Sequence, residues 1–179
     1  MSNLNAGYQL DPHTGAIITG TYEGKRAHQG YYFQSGNISF ALANGASLFV
    51  EAITPSATTQ IHVKNVEIYA AQLSIYKVYE GPTLTPGSTA VPAINFNRQS
   101  SVTSQMTIRS DPSGVSGGTM LIAGLPVGTS LPGGRGTSGS LATGVDWFLK
   151  PSTTYVIEVN NISGVAIEAF ILASWYEEV

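Results

Sequence analysis

Five residues, Gly114-Val115-Ser116-Gly117-Gly118, match the G-x-S-x-G spacing that presents a serine nucleophile in hydrolases. That chemistry needs a tight strand-to-helix turn, with an acid and then a histidine further along the chain. Here Asp111-Pro112-Ser113 leads in, and all three histidines, His13, His28 and His62, lie upstream. The pattern reads as a glycine-rich loop. The cluster Gly133-Gly134-Arg135-Gly136 lacks the Gly-Lys-Ser/Thr ending of a phosphate-cradling loop. The histidine spacing fits no metal-ligand pattern, and His62, between Ile61 and Val63, reads as an ordinary strand residue. Cysteine is absent, which excludes disulfides, thiolate metal sites and thiol nucleophiles. Glu51, Glu67, Glu80, Asp146, Glu158 and Glu168 would form a sugar-cleaving pair only if the fold brought two of them together. Glu177-Glu178 reads as a solvated terminus. The sequence assigns no catalytic residue, no metal and no cofactor.

Aromatic residues are the remaining chemical resource, because exposed Trp and Tyr stack on sugar rings. Tyr31-Tyr32-Phe33, Tyr69, Tyr76, Tyr79, Trp147, Trp175 and Tyr176 are the candidates. Most lie in alternating apolar segments, where a place in the core or at a subunit contact is the simpler reading.

Composition narrows the partners. Charged residues make up 11% of the 179, against roughly 25% in an average soluble protein. A surface so poor in charge resists association weakly, so copies or partners are expected to cover much of it. With a net charge of -3 and eight Lys and Arg spread along the chain, no basic stripe exists for nucleic acid. Residues 1–10 lack the basic start and apolar centre of a secretory leader. No apolar run approaches the roughly 20 residues of a membrane span. Synthesis in a cytoplasm without membrane association is the expectation, and there Asn37-Ile38-Ser39 and Asn161-Ile162-Ser163 would not meet the glycosylation machinery.

The elements that must position these residues are strands. Residues 31–34, 38–42, 47–54, 61–70, 72–79 and 104–109 each read as a strand, most of them separated by Gly, Pro or Asn, and residues 120–123 add one more. After the Lys150-Pro151-Ser152 break, Tyr155, Ile157 and Val159 share one face. Beyond the turn from Asn160 to Gly164, Ile167, Ala169, Ile171, Ala173 and Trp175 share a second, while Phe170, Leu172 and Tyr176 point the other way. A last strand that is apolar on both faces belongs at the centre of a sandwich or at a subunit interface. Helical periodicity is hard to find. The prediction is an all-β chain: a single β-sandwich or jelly-roll-like domain over residues 31–179, with long Gly-rich loops and an extended N-terminal arm over residues 1–30 that orders on a neighbouring surface.

From Tyr79-Glu80-Gly81-Pro82-Thr83 onward the chain resembles a group of tailed-bacteriophage head proteins, small virion components that accompany a major capsid protein. The resemblance runs through Pro92-Ala93-Ile94-Asn95-Phe96-Asn97-Arg98-Gln99-Ser100-Ser101, where the family tends to P-x-N-x-N-R-x-S-S, and through Met106-Thr107-Ile108-Arg109-Ser110-Asp111-Pro112. It continues in the segment with Gly133-Gly134-Arg135, in Trp147-Phe148-Leu149-Lys150-Pro151-Ser152-Thr153-Thr154-Tyr155, in Asn161-Ile162-Ser163-Gly164 and in Trp175-Tyr176-Glu177. Upstream, His28-Gln29-Gly30 with Phe33 loosely matches an early H-x-G-x-x-F. The family's N-R-N-R-like run stands here as Asn95-Phe96-Asn97-Arg98. Together these motifs cover more than half of the chain, and their order is the specific signal.

The resemblance implies a non-enzymatic capsid decoration or head protein that binds and stabilises the assembled shell on the virion surface. Its partners would be the major capsid protein and copies of itself, a trimer being the candidate state. Capsid or subunit contacts are then expected at Tyr8, Ile17, Ile18, Tyr22, Arg98, Arg135, Trp147 and Trp175. The alternative is a tail- or fibre-associated module that holds a receptor or glycan.

Overall fold

The computed structural model describes residues 9–10, 17–18, 22–56, 58–128, 137–140 and 146–179. Strands dominate and pack as a sandwich of two antiparallel sheets, so the all-β reading holds. In chain order the elements are β1 (Gln9–Leu10), β2 (Ile17–Ile18), α1 (Tyr22–Gln29), β3 (Tyr32–Leu42), β4 (Ser47–Ile53), β5 (Gln60–Ala70), β6 (Ser74–Glu80), β7 (Thr83–Thr85) and β8 (Thr89–Val91). They continue with β9 (Ile94–Asn95), β10 (Thr107–Ser110), β11 (Ser113–Ser116), β12 (Thr119–Val127), β13 (Thr137–Ser140), β14 (Trp147–Leu149), β15 (Thr154–Asn161) and β16 (Ile167–Glu178).

The front sheet has the order β12-β6-β15-β4-β10-β8, and the back sheet the order β13-β5-β16-β3-β9, with β14 also paired to β5. The last strand is central, as its two-sided apolar pattern requires: β16 runs between β5 and β3. Consecutive strands β15 and β16 are not partners, because the turn between them carries the chain from the front sheet to the back. Asn161 pins that corner. Fully buried, it donates from Nδ2 to the carbonyls of Leu42 at 2.8 Å and Val165 at 2.7 Å, and its Oδ1 accepts from the Ser163 amide at 2.9 Å.

The core lies between the sheets. Phe33, Ile68, Ile171 and Trp175 from the back meet Leu48, Val50, Val78, Ile157 and Val159 from the front. Alternation along each strand explains the membership, since every second residue of β15 and β16 faces inward. On the front sheet's outer side the loop that follows β7 covers β4, where the Gly87 amide donates to the buried Glu51 carboxylate at 2.8 Å.

Two local readings change. Residues 31–34 and 38–42 form one strand, β3, which runs through Gly36; a Cβ there would stand 2.1 Å from the Ile171 carbonyl oxygen, so glycine lets β3 approach β16. Within the expected arm, Tyr22–Gln29 is a helix. Eight residues are too short to show a periodic stripe or to be stable alone, so the helix depends on tertiary ties. Glu23 in its first turn and Arg26 and His28 in its last suit the helix dipole, and Gly30 just beyond takes the left-handed φ of +82° that closes such ends.

Candidate functional site

The outer face of the back sheet has two zones, one open and one capped. In the open zone, Phe170 of β16 lies opposite Ile38 of β3 on one side and Tyr69 of β5 on the other, giving a three-residue apolar row. Phe170 and Tyr69 stack with centroids 5.3 Å apart at 14°. Ile38 is 53% exposed and Phe40, further along β3, 73%. Beside the row a shallow cavity of about 370 Å³ is lined by Gly36, Asn37, Ile38, Phe170, Ile171 and Leu172; the missing side chain at Gly36 contributes to the depression.

The capped zone is an aromatic ladder across the same face. Phe148 of β14 faces His62 of β5, His62 faces Tyr176 of β16, and Tyr176 faces Tyr32 of β3, with Phe96 after β9 at the end. Centroid separations along it are 4.4, 4.4, 6.5 and 4.8 Å. Helix α1 packs on β3 and β16 here. Lys64 Nζ, on the bulge of β5, holds Glu23 of the helix at 2.6 Å and also Asp146. Arg26 pairs with Glu178 at 3.7 Å, and Tyr176 donates its hydroxyl to Asp146 at 2.6 Å. Burial pushes the Asp146 carboxyl up, but the hydrogen bonds from Lys64 and Tyr176 outweigh it and hold the group below its ordinary value. The Lys64 ammonium is correspondingly raised by Asp146 and Glu23.

The motif loop after β9 holds the other end of the helix. Asn97 donates from Nδ2 to the His28 carbonyl at 2.8 Å; Asn95 donates to the carbonyls of Gly30 at 2.8 Å and Val102 at 2.9 Å and accepts from the Asn97 amide at 2.9 Å. Gly30 sits so close that a Cβ would meet Ser100 Oγ at 2.1 Å. Two motifs 65 residues apart, His28-Gln29-Gly30 and Asn95-Phe96-Asn97, are thus one clasp.

Several of the candidate carboxylates are engaged in hydrogen bonds within the fold. Glu80 accepts from Lys150 Nζ at 2.6 Å and the Tyr155 hydroxyl at 3.0 Å; the Lys150 bond holds it below its ordinary value, and burial with Glu80 beside it pushes Tyr155 up to about 12. Glu158 accepts from Ser47 at 2.7 Å and Tyr79 at 2.8 Å, with Tyr79 raised to about 12 by burial and by Glu158. Glu67 accepts from Asn65, and Glu168 is exposed. Ser116 ends a strand that leads through Gly117-Gly118 into β12, another strand, so the residue is not on a strand-to-helix elbow. The expected solvated terminus is a correction. Because β16 stays paired to β5 through Glu178, Glu177 is 1% exposed and accepts from Ser104 Oγ at 2.6 Å, the Gln105 amide at 3.0 Å and Trp175 Nε1 at 3.2 Å. Among the described residues, no group of three or more His, Asp or Glu side chains is placed to hold a metal ion.

Of the expected contact residues, Tyr8 and Arg135 lie outside the described residues. Ile17 and Ile18 form β2, paired with β1, and Tyr22 begins α1. Arg98 is exposed at the tip of the motif loop. Trp147 is half-buried, packed on the core from β14, and lines a pocket of about 310 Å³ with Glu80, Leu121 and Tyr155. Trp175 is fully buried and tilted against Phe33 at 6.1 Å, so in this chain it is a core residue with no surface to offer a partner. Tyr69 of the open row was among the aromatic candidates, whereas Ile38 and Phe40 were missed as a site; their signal, apolar residues at alternate positions of a strand, is the one that marks a core.

No protein-family model matches the chain, and no curated protein matches it.

Proposed function

We propose that the chain is a bacteriophage virion structural protein, a decoration or head protein that binds the assembled capsid and stabilises it. The observation that carries this reading is the open apolar row of Ile38, Phe170 and Tyr69 with Phe40 beside it, on a chain with 11% charged residues. Large side chains aligned on the solvent side of a sheet mark a surface to be covered. A protein that binds only the assembled shell stabilises that state by mass action. The ordered motifs shared with tailed-phage head proteins supply the class of partner, the major capsid protein, with homo-oligomerisation on the shell's symmetry. Reconstruction of the intact particle tests the reading: density for this sandwich at regular capsid positions is expected, and its absence from the particle overturns it.

A receptor- or glycan-binding module is the second reading, supported by the pocket where Trp147 meets Glu80 and Tyr155. A carboxylate beside an indole suits a sugar ring. Saturable binding of a glycan array, lost in Trp147→Ala, would favour it.

A further inference from the structure

His62 is buried, 4% exposed, and neither ring nitrogen has a hydrogen-bond partner among the described residues. Such a group calls for an explanation, since buried polar atoms are nearly always paired. The imidazole lies between Phe148 and the stacked Tyr176 ring, with Nδ1 3.8 Å from Asp146 Oδ2 and Nε2 3.6 Å from Glu178 Oε2. Both carboxylates already serve helix α1: Glu178 pairs with Arg26, and Asp146 holds Lys64, which reaches Glu23. Among the described residues, the charged and titratable groups around the ring are Glu23 and Arg26 from α1, Lys64 from β5, Asp146 just before β14, Tyr176 and Glu178 from β16, and Tyr32 from β3 at the far side of Tyr176.

We propose that His62 is a proton-operated seat for helix α1, neutral while the helix is docked and loosening the helix from the back sheet when its ring takes up a proton. An imidazolium would face Glu178 Oε2 while Arg26 holds Oε1 of the same carboxylate, so one carboxylate would serve two cations in a site walled by Phe148 and Tyr176. Water is the alternative partner, and lifting the helix admits it. Burial is the largest influence on His62 and holds it below its ordinary value of 6.5; Arg26 acts in the same sense, while Glu178 and Asp146 oppose it without prevailing. The undocked state therefore binds the proton more tightly. As pH falls from 6.5 toward the docked value, the undocking equilibrium rises by up to about tenfold per pH unit, and it is flat above 6.5. The inference stands whatever surface the protein binds.

Residue-resolved amide exchange on the full chain, corrected for intrinsic rates, together with an NMR titration of His62, tests it. The expected result is that residues 26–31 exchange through an opening that costs less than global unfolding and that rises below pH 6.5 in step with the His62 titration, while β5 and β16 keep the larger protection set by global unfolding at every pH. His62→Phe keeps an aromatic ring in the ladder and should abolish the pH dependence. A His62 pKa at or above 6.5, the same pH dependence in His62→Phe, or residues 26–31 protected as strongly as β16, so that the helix opens only with global unfolding, would each overturn the proposal. Should His62→Phe not fold, the gap in protection between α1 and β16 and the His62 titration in the unsubstituted protein decide alone.

Discussion

Phe170 stacks on Tyr69 at 5.3 Å on the outside of the back sheet, while its neighbour Ile171, 1% exposed, points into the core. Adjacent residues of one strand therefore carry different tasks. Ile171→Asp places an unpaired carboxylate between the sheets and should prevent folding. Phe170→Asp sits on a half-open surface and should leave the circular dichroism spectrum unchanged, with a stability loss of about 1 kcal/mol. Sedimentation with purified shells should show weakened attachment for Phe170→Asp. Equal loss of folding in both variants would mean that the outer face is covered within the chain itself.

The clasp between the motif loop and the helix end gives a second expectation. Asn97→Ala removes two exposed side-chain hydrogen bonds, the one given to the His28 carbonyl and the one taken from the Gln99 amide, and should cost about 0.5 to 1.5 kcal/mol. Asn95→Ala leaves the carbonyls of Gly30 and Val102 without that donor and should cost more. In both variants chemical denaturation measures the loss, and amide exchange should show it concentrated in residues 26–31 rather than in β16.

Glu177 joins the last strand to the segment before β10. Glu177→Ala strips the acceptor from Ser104 Oγ, the Gln105 amide and Trp175 Nε1 and leaves a void beside a fully buried tryptophan. We expect a loss of about 3 kcal/mol or more by urea unfolding. Glu177→Gln retains one oxygen acceptor and should fall between the two. A surface-like effect below about 0.5 kcal/mol would contradict the burial.

Acid should destabilise the fold in two separable windows. Asp146 and Glu80 are held below their ordinary values of 3.8 and 4.5, so the unfolded chain binds their protons more readily. Their contribution is full above those values and disappears as pH falls through the lowered ones. Asp146→Asn and Glu80→Gln should lower the melting temperature at neutral pH and flatten its decline below pH 4.5. His62 acts from pH 6.5 downward, so His62→Phe should leave this lower limb in place.

The alternation of apolar residues in β15 and β16 and the turn residues between strands were local properties, and they determined an all-β chain whose last strand is central or interfacial; the tertiary structure placed β16 between β5 and β3. Period-two patterning states which residues share a face; it cannot state whether that face is later covered. Only the tertiary structure decided that Trp175 is core, that Phe170 and Ile38 remain open, and that Glu177 at the chain's end is buried. The same limit hid α1, because an eight-residue helix has too few turns to print a stripe and is held by Lys64, Glu178 and Asn97 from distant strands and loops. His62 shows the difference most plainly. Alternation put it on a strand, but its buried ring, without a hydrogen bond among the described residues, depends on Phe148, Tyr176 and the helix converging from three separate parts of the chain. Burial and electrostatics arise from such convergence, and no local spacing encodes it.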